Sequence, residues 1–191
     1  MSIPIMRPII NREMREAATE ALKNEQLVMG DSVFKFEESF AEYIGTKYAI
    51  STSSGTDALS LALTCLGIGN SDKVITSPMS FIATSNAILH NDAIPHFTDI
   101  KLDSGNIDIS STDFKDIKAI LPVHLYGNVI DDIDKILKIK KELNLLLIED
   151  VAQAHGATHN NKKAGSFGDA GCFSFYSTKN MTVGGDGGMI T

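Results

Sequence analysis

Tryptophan is absent from this 191-residue chain, cysteine occurs twice and proline five times. Two cysteines, Cys65 and Cys172, in a chain long enough to bury its own core do not make a disulfide framework, and both are expected to be reduced and buried. No apolar run approaches the roughly 18 residues that a membrane span requires. Met1–Arg12 also lacks a basic segment followed by an apolar stretch, so no secretory leader is expected and the default address is the cytoplasm. Basic charge is in the minority. Seventeen Lys+Arg against 24 Asp+Glu give a net charge of −7, and the basic residues are scattered, which excludes the positive stripe that a nucleic-acid binder presents. Internal repeats, low-complexity tracts and Pro/Gly/Ser-rich linkers are missing too, so nothing divides the chain into domains. What is there, 43% hydrophobic and 21% charged residues, is the composition of a soluble globular domain with one core.

Helical and strand periods alternate along that core. Asn11 is placed to cap a helix running to about Asn24. Asp31 is placed to cap another, in which Val33, Phe36, Phe40 and Ile44 recur at helical spacing before Gly45. Strands are expected at Tyr48–Ser51, Val74–Thr76, Ile94–Phe97, Ala119–Val123 and Leu145–Ile148, with helices at Thr56–Leu66, Phe81–His90 and Asp131–Leu143 between them. Leu145-Leu146-Leu147-Ile148 is apolar on both faces, as suits a strand covered by helices on each side. The fold class is therefore α/β, a three-layer αβα sandwich around a mostly parallel mixed sheet. After Val151 glycines crowd the chain, which implies unusual backbone angles or a close approach of the backbone to something.

In such sheets ligands sit beyond the carboxyl ends of the strands, and four places there carry chemistry. Ser53-Ser54-Gly55-Thr56 opens a helix whose free N–H groups and dipole suit an anion such as phosphate, although Ser54 or Thr56 would do the same as a plain helix cap. Asp150 ends the most apolar strand, where a carboxylate needs a cationic or hydrogen-bonding partner; a protonated pyridine nitrogen would serve. Two alternatives stand there: His155 and His159, four apart, could share a metal with Asp150, or both could lie on a polar loop. Lys179 follows Ser174, Ser177 and Thr178 and precedes a glycine run. Its company sets it apart from a solvated surface lysine and suits an amine that condenses with an aldehyde. Phe81, after Ser77-Pro78-Met79-Ser80, could stack on a planar ring, though an aromatic in an apolar segment also reads as core.

In this order the blocks resemble the DegT/DnrJ/EryC1/StrS sugar aminotransferases, pyridoxal-phosphate (PLP) enzymes of fold type I. The resemblance runs through Gly30–Gly45, Ser54–Leu59, Pro122–Gly127, Glu149–Gly156 and Phe173–Asn180, and the last two blocks are specific as a pair. It implies that residues 1–191 are the PLP-binding large domain. It also implies that Lys179 holds the coenzyme as a Schiff base and that Asp150 faces the pyridine nitrogen. Gln153 would meet the phenolic oxygen, Ser174 with Gly55 and Thr56 would form the phosphate cup, and Phe81 would stack on the ring.

The implied reaction is ping-pong transfer of an amino group from an amino acid, L-glutamate by resemblance, to a nucleotide-linked keto sugar, in a homodimer. Sugar dehydratases of the same family resemble the group with histidine where Lys179 stands. Ser177 replaces a common proline and Asp186 a common glutamate. Family members continue for about as many residues again past the position of Thr191, with a small domain and a segment that reaches a neighbour's phosphate. A non-catalytic fragment or regulatory protein is therefore the alternative. No role is assigned to His124 or His155, and Asn180-Met181-Thr182 is not read as a glycosylation site.

Overall fold

The computed structural model describes residues 8–191; the first seven residues of the Met1–Arg12 segment lie outside them. Helix α1 (Arg12–Asn24) is capped by Asn11, whose side chain accepts from the Met14 N–H at 2.8 Å; the helix buries none of its residues. Helix α2 (Asp31–Ile44) ends on Gly45 in the left-handed conformation, at φ 88°. Then come β1 (Ile50–Thr52), α3 (Gly55–Cys65), β2 (Lys73–Thr76), α4 (Ala83–His90), β3 (Ile94–Phe97), the short hairpin β4 (Asp99–Ile100) and β5 (Ile107–Asp108), and β6 (Ile117–Leu121). A 3-10 turn at Leu125–Gly127 leads to α5 (Ile133–Leu143), β7 (Leu146–Asp150), the hairpin β8 (Thr158–His159) and β9 (Lys162–Lys163), β10 (Ala170–Ser174) and β11 (Gly188–Ile190).

Seven strands form the main sheet in the order β1-β11-β10-β7-β6-β2-β3. The five strands from β10 to β3 run parallel, and β11 is antiparallel to both its neighbours, so the sheet is mixed and mostly parallel as expected. Period-two alternation sorts its side chains into two apolar layers. Val74, Leu121, Ile148 and Cys172 pack with α3 and α4 through Leu59, Leu63 and Ile88. Ile75, Ile120 and Leu147 face the opposite side with Ile133 and Ile136 of α5, and Phe173 and Met189 pack there against Phe40 and Ile44 of α2. Three layers result.

Four sequence expectations are corrected. Strand β7 continues through Glu149 to Asp150, so both carboxylates belong to the strand. Strand β6 ends at Leu121 because Pro122 has no N–H to give the ladder. The third helical stretch starts at Ala83, leaving Phe81 in the turn before it. Cys65 is exposed at the end of α3, while Cys172 is buried; both are free thiols. No helix among the described residues is long and apolar enough to cross a membrane.

Candidate active site

The carboxyl ends of β2, β7 and β10 open on one edge of the sheet, into a cavity of about 420 Å³. Its walls include Ser54, Gly55, Thr56, Phe81, Thr84, Val123, Asp150, Gln153, Ser174, Thr178 and Lys179. The seven residues that the resemblance places at the coenzyme, Gly55, Thr56, Phe81, Asp150, Gln153, Ser174 and Lys179, therefore line one cavity, whereas His155 and His159 do not.

The rim at Gly55 is made by the close seating of α3. Ser54 caps the helix, its side chain accepting from the Asp57 N–H at 3.1 Å, and Asp57 accepts hydrogen bonds from the Ser53 and Ser54 hydroxyls. The capping and anion-binding readings coexist, because one serine satisfies one N–H and leaves the others of the first turn directed outward. Gly55 abuts the end of β10 so tightly that a Cβ there would lie 2.6 Å from Ser174 Cβ. Only glycine lets the helix end and the Ser174 hydroxyl share one concavity.

Asp150 sits on the cavity floor, 4% exposed. Its Oδ2 accepts from the Thr84 hydroxyl at 2.8 Å and its Oδ1 from the Ala152 N–H at 3.1 Å. Since Thr84 spends its proton on the carboxylate, the 2.7 Å contact with Ser80 has Ser80 as donor. Burial pushes the Asp150 carboxyl above its ordinary range, and the Thr84 and Ala152 hydrogen bonds and the charge of Lys179 offset only part of this. The carboxylate thus has acceptor capacity left and an energetic incentive to meet a cation. Lys179 is half-buried and enters no ion pair among the described residues. A turn holds it, its N–H donating to the Tyr176 carbonyl at 2.8 Å.

Gln153 Oε1 accepts from the Tyr126 N–H at 2.9 Å, which commits the amide oxygen to the protein and leaves the amide nitrogen as the end that can donate. Tyr126 adopts φ 55° to make that bond. Phe81 is 70% exposed at the mouth of the cavity, which overturns the core reading for that residue.

The two histidines of the metal alternative do not come together. His159 bonds Asp134 at 2.8 Å, whereas the His155 ring packs 5.6 Å from the rings of both Phe173 and Phe175. No cluster of three or more His, Cys, Asp or Glu side chains among the described residues could hold a metal ion. His155 is not a polar-loop residue either. Both its ring nitrogens are buried without a partner, and burial pulls its pKa down to about 4; the Ser174 carbonyl opposes this without making a hydrogen bond of normal geometry.

Sequence reasoning missed Thr84, Glu149 and the role of His124. Thr84 had one signal, its place in the first turn of the helix after β2, facing the strand ends. Glu149 had another, since alternation along β7 turns it away from the Asp150 face.

A model of the DegT/DnrJ/EryC1/StrS aminotransferase family matches residues 8–191. The chain is 39% identical over 193 residues to the GDP-perosamine synthase of Caulobacter vibrioides, covering 99% of this chain and 52% of that one. The X-ray structure of the aminotransferase from Psychrobacter cryohalolentis superposes with a TM-score of 0.91 at 38% identity, over 97% of this chain and 49% of that one. The E. coli GDP-4-keto-6-deoxy-D-mannose-3-dehydratase with bound hydrated PLP superposes with a TM-score of 0.92 at 30% identity, over 100% of this chain and 51% of that one. The chain spans about half the length of the curated relatives it matches.

Proposed function

From the premise that this chain belongs to the DegT/DnrJ/EryC1/StrS aminotransferase family, we propose that it is the coenzyme-binding domain of a PLP-dependent sugar aminotransferase. The whole protein would move an amino group from an amino acid, L-glutamate by resemblance, to a nucleotide-linked keto sugar, as a cytoplasmic homodimer. One observation carries the reading: a lysine without an ion pair among the described residues and a buried carboxylate with unspent acceptor capacity line the same cavity.

The residues present fit PLP. About 420 Å³ lies within the range of small-molecule sites. One end offers the N-terminus of α3, where the first-turn N–H groups, Thr56 and Ser174 would hold the phosphate; a side chain at position 55 would fill that cradle. The other end offers Asp150. When bound, PLP supplies an aldehyde that captures an amine and a ring that draws off the electron pair released at the adjacent carbon.

Asp150, oriented by Thr84 and Ala152, would hold a proton on the ring nitrogen, and the charge pairing relieves its own desolvation. The Gln153 amide nitrogen would donate to the phenolic oxygen, because Tyr126 already occupies the amide oxygen. Phe81 would cover one face of the ring. Lys179 would hold the coenzyme through its aldehyde and, once the donor amine has freed it, its Nζ would take the proton from the donor's α-carbon and return it to the coenzyme carbon on the far side of the donor nitrogen. The lysine also supports amine transfer over the dehydratase reaction, for which the resemblance implies histidine at this position.

The test is borohydride reduction of the protein with PLP, followed by peptide mass spectrometry. The wild type gains the reduced coenzyme on the peptide containing Lys179, and Lys179→Ala gains none; equal labelling of the two proteins sinks the proposal. Assay with glutamate against a panel of keto-sugar nucleotides then separates turnover from a non-catalytic fragment or regulatory protein.

A further inference from the structure

Beside the cavity, on the far face of the sheet, lies a buried acid and imidazole that the proposed chemistry does not use. Glu149 and His124 are both 0% exposed, and His124 Nε2 stands 2.9 Å from Glu149 Oε2. Glu149 also accepts the N–H groups of Gly165, Phe167 and Gly168, each at 2.8 Å. Two oxygens receiving four donors are saturated. His124 Nδ1 accepts from the Ile130 N–H at 3.1 Å, so that nitrogen carries no proton. The ring is therefore the neutral tautomer with its proton on Nε2, donated to an ionised Glu149.

The placement of this pair is specific. Regular pairing of β6 with β7 covers Ala119↔Leu146 and Ile120↔Leu147, and Pro122 has no N–H with which to extend it. Past that point the strand ends are joined around Asp150 itself. Its N–H donates to the Pro122 carbonyl at 2.9 Å, its carbonyl accepts the His124 N–H at 3.0 Å, and Val123 bridges it. Asp150 and Val123 turn into the cavity; Glu149 and His124 turn away and grip each other.

We propose that His124 is a positioning residue that acts through Glu149. The pair replaces the missing ladder bond and fixes the pitch of the Val123–His124 and Glu149–Asp150 segments, so that the Asp150 carboxylate is presented to the ring nitrogen of the coenzyme. This rests on the PLP reading above and extends it to residues that touch neither substrate nor coenzyme.

The test compares His124→Leu, which removes the donor to Glu149, with His124→Gln, whose amide nitrogen reaches the same place. Ile136→Val, a core change in the α5 layer, is the control for simple destabilisation. The readouts are the Kd for PLP and the visible circular dichroism of the bound coenzyme, which reports ring orientation. His124→Leu is expected to raise Kd about tenfold, the equivalent of one hydrogen bond's net contribution, and to change the dichroism. His124→Gln returns both towards wild type, and Ile136→Val moves neither.

A flat His124 series overturns the proposal, as does Gln performing no better than Leu or Ile136→Val reproducing the loss. Should His124→Leu fail to fold, ¹⁵N spectra of the wild-type apoprotein decide: the Nε2–H neutral tautomer is expected, and an Nδ1–H tautomer or a cation refutes the arrangement. Lys179→Ala run alongside keeps the two readings apart. A His124 series without effect, with Lys179→Ala null for labelling, defeats only this inference, whereas labelling of Lys179→Ala defeats the PLP reading.

Discussion

Replacing Gly55 by alanine probes how tightly the phosphate end of the site is seated. The new Cβ would stand 2.6 Å from Ser174 Cβ and 3.2 Å from its Cα and Oγ, whereas carbon atoms settle at roughly 3.5–4.0 Å. Something must retreat by about 1 Å. Strand β10 is the stiffer partner, because Phe173 and Phe175, either side of Ser174, are 0% and 1% exposed and locked edge-on against Phe40. The start of α3 therefore moves. Overpacking of this kind costs about 1–3 kcal/mol, offset by up to about 1 kcal/mol from the better helix propensity of alanine.

Taking a net loss of about 1–2 kcal/mol from the middle of that range, at about 2–4 °C per kcal/mol in a domain of this size, Tm is expected to fall by roughly 2–8 °C. Coenzyme binding should suffer as well, since the first-turn N–H groups that would hold the phosphate move with the helix, and a hydrogen bond to a charged group contributes about 1.5–3 kcal/mol. A fluorescence titration with PLP is expected to show Kd raised by on the order of 10- to 100-fold. Gly69→Ala is the control: its Cβ would meet only the Asn91 carbonyl oxygen at 3.8 Å, and neither quantity should change. A Gly55→Ala protein with wild-type Tm and wild-type Kd would refute the close-approach argument.

Thr84→Val keeps the side-chain shape but removes one of the two donors to Asp150; urea unfolding of the apoprotein at neutral pH should show a loss of about 1–3 kcal/mol, and an unchanged midpoint would count against that hydrogen bond. His155 is held neutral, with a folded pKa of about 4 against an ordinary 6.5, so the unfolded chain takes up the proton first and stability falls as pH drops from 6.5 towards 4, by up to roughly 3 kcal/mol. His155→Phe should flatten that window, measured as the difference between urea midpoints at pH 4.5 and 7.5, and an undiminished difference would place the titrating group elsewhere. Phe81→Ala should alter stability by no more than about 0.5 kcal/mol, because the ring is 70% exposed. It should weaken PLP about two- to tenfold if the ring stacks, and unchanged affinity would remove Phe81 from the site.

Much of the fold was legible because each signal was local. The Ser54 cap, the run Leu145–Ile148 and the helical recurrence of Val33, Phe36 and Phe40 lie within single elements, and each element formed close to where its period placed it. Gathering Gly55, Asp150, Ser174 and Lys179 in one cavity needed only the rule that strand carboxyl ends share an edge, together with a resemblance in motif order. The two short hairpins carried too few residues to show a period. Cys65 was misjudged because burial depends on which face of α3 meets the sheet: Leu59, Ala62 and Leu63 take that face and leave residue 65 outside.

Glu149 and Asp150 show why the rest of the site lay beyond sequence reasoning. As adjacent acids ending an apolar run they look interchangeable, and the need of a buried carboxylate for partners applies equally to both. Alternation separates their faces but does not say which face holds the cavity. That depends on partners 16 to 25 residues away: the Gly165–Gly168 loop and His124 reach Glu149, while among the described residues the Asp150 carboxylate receives only Thr84 and its near neighbour Ala152. The acid with four donors has nothing left to offer a ligand, and the acid with two does. Unspent hydrogen-bonding capacity, a property of the folded arrangement alone, is what assigns structure to one residue and chemistry to the other.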